Sequence, residues 1–577
     1  MAQTTVATPV RSERTPGLRL WDRQLDRYPE TGPRMMYLAI VVLATIVLYY
    51  ELYVAGAVAP SIISQFHMSF KYYVYITVVA NAVGAFSSLV AGLADRWGRA
   101  NLVTYGLLVT GLLVWFAIPA ASSKLAFAVI VVAVGFVEGI ILVATPALVR
   151  DFSPQLGRAS AMGFWTLGPV IGSLVVAEVS SHTLASHPNW HFQFQVCGAA
   201  GVAVFLVALF GLRELSPRLR DQLMVSARDR ALIEARAAGV DIEESLRHPW
   251  RQMMHLDVIG SAFAVSVFLI IYYTAVGFFT IYFTSIFGFS LQQANGIGNW
   301  FWAFDAGALV LIGLVSDKVR VRKPFMVVGA LGAIAMTILF LTKTNQPHTG
   351  YYDFVWIISL LAVFLGIAYA PWMASFTETV EKRNPALTAT GLAVWGWIIR
   401  AVVAVSIFIL PFVISTMSPL VEYGTQVKTA ATKYAPEVAT ASAIDPHTLA
   451  TLTANPTDGT AINTAVAEIA YRYGLTPGAA VQRLVALGNA AKQPDFQYLT
   501  AHGPQVVDAA KKTPDQWRTW WWVCVGGEVA FLPFILVMAG RWSPRRAKRD
   551  AEEHERQIAE EMERLGIASE EPVSASV

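Results

Sequence analysis

Ionisable residues interrupt several long apolar runs of the chain, and their chemistry is the most distinctive feature of the sequence. Glu51, Glu138, Asp305, Arg400 and Glu528 each lie in a run dominated by aliphatic and aromatic residues. A charged group in the middle of a membrane costs roughly 2.5–3.5 kcal/mol or more, so each is a functional candidate. Burial favours the neutral form of a carboxylic acid, and such an acid can take up and release protons.

These residues differ in what they are expected to do. We expect proton coupling at Asp305 and Glu138 first, and at Glu51 next. Glu528 ranks lower because an ion pair with Arg400 of the neighbouring apolar run would hold it in the structure. The alternative for Arg400 is a place in a substrate cavity.

The surroundings of Asp305 favour a cavity over lipid. Asn299 and Trp302 precede Asp305 by six and three positions, which places all three on roughly one face of a helix. Tyr273 and Tyr369 are further candidates for the substrate cavity, although packing between helices is the alternative for both.

Composition identifies the kind of protein that must position these groups. The 577 residues are 55% hydrophobic and only 14% charged, whereas soluble domains carry about 25% charged residues. The net charge of +3 gives no reason to expect a nucleic-acid partner. The sequence therefore predicts an all-α integral membrane protein whose main partner is the lipid bilayer.

Enzymatic and metal chemistry have little support. Cys197 and Cys524 both lie in apolar runs and are expected to pack as small hydrophobic residues. His182, His187 and His191 cluster between two apolar runs, but we interpret them as a surface loop and expect no metal site. No G-x-x-x-x-G-K-[ST] phosphate loop is present, so we expect no cofactor and no ATP-driven step within this chain.

Twelve apolar runs are long enough to span a membrane, which takes about twenty helical residues. They lie near 36–58, 72–94, 101–120, 125–148, 158–180, 195–213, 258–285, 296–315, 324–342, 353–373, 387–416 and 519–540. Lys and Arg concentrate after every second run, as at Arg96, Arg99, Arg150 and Arg213. The positive-inside rule then predicts a multi-pass plasma-membrane protein, inner-membrane in a bacterium, with both termini in the cytoplasm.

The remaining segments complete the domain organisation. We predict a cytoplasmic tail (1–35), a six-helix bundle (36–213), a cytoplasmic linker (214–256), helices 7–11 of a second bundle (257–416), an extracytoplasmic insert (417–518), the twelfth helix (519–540) and a cytoplasmic tail (541–577). Within the first tail, residues 17–28 are consistent with a short helix on the membrane surface or with a disordered basic segment. For the insert we expect a small helical cap, with a disordered loop as the alternative.

The two halves resemble each other. Gly92, Asp95, Arg96, Gly98 and Arg99 follow the second run, and an equivalent stretch with Gly313, Asp317 and Lys318 follows the eighth. Many secondary transporters consist of two duplicated six-helix halves with the substrate site between them. We therefore expect twelve helices in two halves related by pseudo-twofold symmetry.

On these residues the chain resembles the major facilitator superfamily. The stretch from Gly92 to Arg99 is similar to that family's loop between its second and third helices, although Ala91 stands where the pattern begins with glycine. The resemblance implies a cytoplasmic gate formed by both copies, in which acids and bases hold the halves together in one conformation. The alternative is that the basic residues only set the topology.

Gly168, Pro169 and Gly172 resemble part of a motif associated with antiporters of this family. Small residues let neighbouring helices approach closely, so ordinary packing explains them equally well. In the fourth run, Gly135 stands where drug-antiporter relatives usually carry an arginine, and Glu138 stands where they carry a glutamine. This departure argues against a standard drug–proton antiport mechanism.

The leading hypothesis is a secondary active transporter that moves a small organic solute by alternating access, coupled to protons as a symporter or an antiporter. The expected partners are the bilayer, a small-molecule substrate and protons, and we expect a monomer. The alternative is a nutrient sensor on a transporter scaffold, which would bind solute without transporting it.

Overall fold

The computed structural model describes residues 20–87, 97–153, 166–217, 219–220, 253–383 and 388–546, with positions 548, 549, 552, 553 and 556 of the C-terminal tail. Nearly all of these residues are helical. The first half contains α1 (Thr31–Ala57), α2 (Ala59–Gln65), α3 (Phe70–Ser87), α4 (Arg99–Leu112, continued by a π turn to Ala117), α5 (Lys124–Phe152), α6 (Gly168–Thr183) and α7 (Trp190–Gly211).

The second half begins after the linker. It contains α8 (Leu256–Phe268), α9 (Ile270–Ile286), α10 (Leu291–Val319), α11 (Lys323–Lys343), α12 (Tyr351–Arg383), α13 (Thr388–Val413) and the C-terminal part of α20 (Pro494–Val537). Between α13 and α20 lie α14 (Met417–Glu422), α15 (Gly424–Lys433), α16 (Ala435–Ser442), α17 (Pro446–Ala454), α18 (Gly459–Tyr473) and α19 (Pro477–Ala490).

Apolar length explains why these segments form membrane helices. Within the described residues, ten helices or helix pairs are long and apolar enough to cross a membrane. They are α1, α4 with its π turn, α5, α7, α8 with α9, α10, α11, α12, α13 and α20. The second and fifth predicted spans correspond to α3 and α6, and each of these helices adjoins a segment outside the described residues. The seventh predicted span is broken into two helices at Leu269.

The two halves contact each other in a reciprocal pattern. The second span, α3, packs against the eleventh, α13, and the fifth span, α6, packs against the eighth, α10. Exchanging the halves converts one of these pairs into the other, which is the arrangement expected of two related halves. In addition, α1 contacts α9 across the same interface.

The bundle has two ends, which we name by the segments they carry. The insert end comprises the helix ends at residues 57–70, 117–124, 183–190, 286–291, 343–351 and 413–417, where the 417–518 insert is attached. The tail end comprises the opposite ends, near Arg99, Phe152, Gly211, Val319 and Val537.

The segment before α1 differs from the predicted surface helix. Among residues 17–28, the structure describes 20–28, and Gln24–Leu25 form a strand (β1) that pairs in parallel with Glu214–Leu215 (β2). Arg23 is almost fully buried, and its Nη1 donates to the carbonyl of Ala208 at 2.8 Å. For residues 20–28 both alternatives were wrong, because pairing with β2 and burial of Arg23 hold this part of the stretch on the bundle.

The insert is helical and has its own apolar cluster. Ile444, Ala465, Ile469, Ala480 and Leu487 are among its buried residues. The side chains of Asp445, Asp458 and Thr476 accept hydrogen bonds from backbone amides at the starts of α17, α18 and α19, which satisfies amides that a helix leaves free. The predicted boundary at 518 is not a helix end, since α20 runs without interruption from Pro494 to Val537.

Candidate functional site

A cavity lies between the two halves, near the middle of the bundle. Helices of both halves contribute to it, including the break at Leu269 between α8 and α9. The lining residues are Tyr49, Tyr53, Thr166, Pro169, Val170, Leu269, Tyr272, Tyr273, Asp305, Leu309, Leu365 and Tyr369. The lining is thus mainly aromatic and aliphatic, with phenol groups and one carboxylate, as in many small-molecule sites.

Asp305 supplies that carboxylate. It lies midway along α10 and is only 3% exposed. It lies within electrostatic reach of Tyr272 and Tyr369, which also line the cavity. A group in this position can contact a solute in the cavity and can exchange a proton through it.

Other predicted cavity residues lie at two levels. Tyr273 and Tyr369 line the same cavity as Asp305. Trp302 lines a second space towards the insert end and contacts Tyr272 edge to face at 5.1 Å. Asn299 lies one turn further towards that end, where its amide donates a hydrogen bond to Glu178 of α6. The predicted face of α10 therefore runs along the passage between the halves.

Arg400 and Glu528 do not form the predicted ion pair. The carboxylate of Glu528 accepts a hydrogen bond from Thr337 of α11 at 2.7 Å, inside the second half. Arg400, midway along α13, lies within electrostatic reach of Tyr49 and Tyr273, which line the cavity. The structure therefore separates the two groups and places Arg400 near two tyrosines of the cavity lining.

Glu51 and Glu138 lie inside the first half, away from the cavity lining. The carboxylate of Glu51 lies against Gly201 of α7, where a Cβ atom would meet that carboxylate. Thr110 lies beside Glu51, but its hydroxyl donates to the carbonyls of Gly106 and Leu107.

Glu138 is fully buried on α5 and lies within electrostatic reach of Glu51. Within the described part of the chain, no donor makes a hydrogen bond of ordinary geometry to either carboxylate. Glu138 also lies within reach of Tyr49 and Tyr53, so it lies behind residues of the lining rather than among them.

The Gly168-Pro169-x-x-Gly172 stretch brings α6 against α1. A Cβ atom on Gly172 would lie 2.6 Å from the Cβ of Tyr49, and one on Gly168 would lie 2.7 Å from Cγ2 of Thr45. Side chains at these positions would therefore push apart the two helices that carry Tyr49 and Pro169. The two glycines therefore allow α6 and α1 to pack closely where these helices form the cavity wall.

The predicted gate is only partly within the described residues, since Gly92, Asp95 and Arg96 lie outside them. Gly98 has φ +87°, a conformation that favours glycine. Arg99 donates to both carboxylate oxygens of Asp151 at 2.9 Å. Glu214 accepts from the amide of Arg99 at 2.7 Å, at the start of α4.

The second copy has its own ion pairs. Asp317 pairs with Arg322 at 2.7 Å, and Arg322 also contacts Glu378 of α12 at 3.1 Å. Gly313 and Lys318 lie on the last turns of α10, on either side of the buried Ser316. In both copies, acids and bases thus join neighbouring helices of one half at the tail end.

Sequence reasoning missed Tyr49 and Tyr53, which line the cavity from α1. Their spacing of four residues, adjacent to Glu51, was the available signal, because such residues share a helix face. Among the described residues, no group of three or more His, Cys, Asp or Glu side chains could hold a metal ion.

Comparison with known proteins identifies the family. The model of the Major Facilitator Superfamily matches residues 41–408. A galacturonate transporter of Dickeya chrysanthemi is 24% identical over 35% of this chain and 57% of its own length. A hexuronate transporter of Escherichia coli K12 is 25% identical over 29% and 39%, respectively. The multidrug resistance protein MdtL of Shewanella oneidensis is 31% identical over 26% and 36%. The chain therefore spans about half or less of the length of these relatives.

Solved structures agree on the fold. A bacterial homologue of the human lysosomal transporter Spinster, in an inward-facing and unoccupied conformation, has a TM-score of 0.52 at 17% identity, over 89% of this chain and 100% of that chain. A D-xylose–proton symporter has a TM-score of 0.50 at 14% identity, over 65% and 89%. The predicted fold class, twelve membrane helices in two halves, is confirmed. The chain belongs to the major facilitator superfamily, and the relatives and solved structures named above are membrane transporters.

Proposed function

We propose that the protein moves a small organic solute through the cavity between its halves by alternating access, driven by protons that bind at Asp305. The observation that carries this proposal is the position of Asp305, a nearly buried carboxylate at the midpoint of α10 that lines the cavity. Secondary transporters bind their substrates near the midplane between two repeats. A carboxylic acid in that place can couple its own protonation to solute binding.

The lining favours a solute that carries hydroxyl groups and a carboxylate. Tyr49, Tyr53, Tyr272, Tyr273 and Tyr369 bring phenol groups to the cavity, and Arg400 lies within electrostatic reach of two of them. A guanidinium recognises a carboxylate with two parallel hydrogen bonds. The names of the galacturonate and hexuronate transporters agree with such a solute. We therefore propose sugar acids as the first substrates to test.

Drug–proton antiport has weaker support. A Cβ atom on Gly135 of α5 would lie 2.8 Å from the carbonyl oxygen of Ala80 on α3. The arginine that drug-antiporter relatives usually carry at this position would therefore force α3 and α5 apart. Proton symport of an organic acid fits these contacts better.

For the membrane orientation, we propose that the tail end and both termini face the cytoplasm of a plasma membrane and that the insert faces outwards. The basic residues of the tail end support this orientation. A cysteine introduced at Asn455 in the insert should react with an impermeant maleimide in intact cells. A cysteine at Arg236 in the linker is the matched control and should stay unlabelled. Labelling at Arg236 and not at Asn455 would show that the membrane orientation is the opposite of the one proposed.

Transport itself is tested in proteoliposomes with radiolabelled galacturonate and glucuronate. An imposed pH gradient, acidic outside, should drive accumulation above equilibrium, and a proton ionophore should abolish it. Solute accumulation that does not depend on the imposed pH gradient would contradict proton coupling. Saturable binding without any accumulation or exchange would instead identify a sensor on a transporter scaffold.

A further inference from the structure

The first helix of the insert, α14, lies across both halves of the bundle at the insert end. It packs against α2 and α3 of the first half and against α9 and α20 of the second. Its residues Met417 and Val421 are buried at 0% and 4% exposure. The rest of the insert has a separate apolar cluster that begins at Tyr434. The root of the insert and its distal part therefore make different contacts.

On the side of the first half, α14 binds the beginning of α3. The hydroxyl of Ser418 accepts a hydrogen bond from the backbone amide of Phe70, the first residue of α3, at 3.1 Å. This amide is one of those that a helix leaves free at its start. The Phe70 ring is buried and meets Phe278 of α9 edge to face at 5.9 Å. Ser418 thus binds Phe70, whose ring also packs against the second half.

On the side of the second half, the segment before α14 is anchored to α20. The amide and the hydroxyl of Thr416 contact Oε1 of Gln516 at 3.0 and 2.7 Å, and the hydroxyl lies 2.8 Å from that of Thr513. Thr513 is fully buried. The root of the insert therefore belongs to the second half and reaches across to the first.

Neighbouring contacts close the same end. Thr280 of α9 donates to the carbonyl of Gly56, and Asn295 of α10 donates to the carbonyl of Ala57 at 3.0 Å. Both carbonyls lie at the C-terminal end of α1, where a helix leaves carbonyls unpaired. A Cβ atom on Gly56 would lie 2.7 Å from the carbonyl oxygen of Val276, so α1 and α9 touch through their backbones. Opening this end must break all of these contacts.

We propose that the root of the insert, residues 416–422, is a strap that holds the insert end closed, with Ser418 as the positioning residue that sets the ratio of closed to open conformations. The proposal rests on the alternating-access function proposed above. It assigns a role in the transport cycle to the root alone, and it leaves the distal part of the insert, residues 435–493, outside that role. Losing the strap favours the conformation that is open at the insert end.

The test measures that ratio directly. Nitroxide labels on cysteines at Ser122 and Tyr352, exposed residues of opposite halves at the insert end, report the distance between the halves by double electron–electron resonance in nanodiscs. Ser418→Ala should raise the open-to-closed ratio about three- to tenfold, the value of one hydrogen bond. Ser418→Thr, which keeps the hydroxyl, should restore the wild-type distances. A sample without introduced cysteines checks that the buried Cys197 and Cys524 stay unlabelled.

A matched control lies in the distal part of the insert. Among the described residues, the Ser442 hydroxyl donates within its own helix, to the carbonyl of Val438, so Ser442→Ala should leave the distances unchanged. Unchanged distances in Ser418→Ala and in Val421→Ala would overturn the proposal, as would equal shifts in Ser442→Ala. The distance measurement needs no substrate. A failure of the transport assay would therefore refute the proposed function, while the proposal that residues 416–422 act as a strap would still be tested by the distances.

Discussion

The two halves place their buried acids in different surroundings. In the first half, Glu51 and Glu138 lie among α1, α4, α5 and α7, behind the tyrosines of the cavity wall. In the second half, Asp305 lines the cavity itself, while Glu528 accepts a hydrogen bond from Thr337 between α11 and α20. All four are nearly or fully buried, so burial does not distinguish them. Of the four, Asp305 is the one that lines the cavity.

This contrast assigns different roles to residues that have the same chemistry. A proton carrier must reach water on each side of the membrane in turn, and only a group beside the passage meets that condition directly. Asp305 meets it through the cavity. The acids of the first half would need a second route through Tyr49 and Tyr53.

The largest effect is expected for Asp305→Asn, which removes the charge and keeps the shape. With one proton per solute, a pH difference of one unit supports up to about tenfold accumulation. The variant should lose this accumulation and still exchange labelled for unlabelled solute, because exchange needs only alternating access. Both are measured in the same proteoliposomes. Accumulation that remains dependent on pH would refute Asp305 as the carrier.

The next effect concerns Arg400 of α13, which lies within electrostatic reach of Tyr49 and Tyr273 of the cavity lining. If it holds the carboxylate of the solute, Arg400→Gln removes a charged hydrogen bond worth about 1.5–3 kcal/mol. The KM for a sugar acid should then rise by about tenfold or more, while Arg400→Lys should recover part of the loss. A neutral sugar analogue that loses as much affinity would show that Arg400 does not contact the carboxylate.

Hydropathy and charge predicted the spans and their order well, because crossing a membrane imposes a length and a composition on each helix. They did not predict which acids face the cavity, since the helices are apolar on nearly all sides and packing decides how each is turned. Arg400 and Glu528 illustrate this limit. They lie on neighbouring spans of the chain, yet Arg400 lies within electrostatic reach of two cavity tyrosines and Glu528 accepts a hydrogen bond from Thr337.

Other differences have local causes. No Gly or Pro lies next to Leu269 in the sequence, so no helix-breaking residue predicts the break there. The strand at Gln24–Leu25 depends on pairing with residues almost 200 positions away. The predicted boundary at residue 518 failed because a change in composition does not require a helix to end. Contacts between distant segments, rather than local patterns, decide these features.

A smaller effect is expected for Glu138→Gln and Glu51→Gln. If the acids of the first half serve only inside that half, each variant should keep most of its proton-driven accumulation. Their effect on thermal stability should stay within about 1 kcal/mol, because an amide of the same shape replaces the acid. Loss of accumulation with retained exchange in Glu138→Gln would move the coupling site into the first half.

The smallest effect is expected for Glu214, a buried acid that accepts hydrogen bonds from two backbone amides, whereas Glu51 and Glu138 have no such donors among the described residues. It lies outside the membrane helices and accepts from the amides of Arg99 and Ala100 at 2.7 and 3.4 Å. Burial raises the pKa of Glu214 above its usual value, and the two amides partly oppose the rise. An acid whose pKa is higher in the folded state stabilises the fold most at low pH. That stability is lost as the pH rises from the unfolded pKa of about 4.3 through the folded value.

Glu214→Gln keeps an acceptor for both amides and cannot ionise. The melting temperature of the wild type relative to this variant should therefore fall as the pH rises above about 4.3 and should level off once Glu214 is ionised in the folded state. Glu214→Ala, which leaves the start of α4 without its acceptor, should cost about 1 kcal/mol. Thermal unfolding followed by tryptophan fluorescence between pH 4 and 8 measures all three proteins. If the melting temperature of the wild type instead rose relative to that of Glu214→Gln with increasing pH, the two amides would outweigh burial and favour the charged form of Glu214.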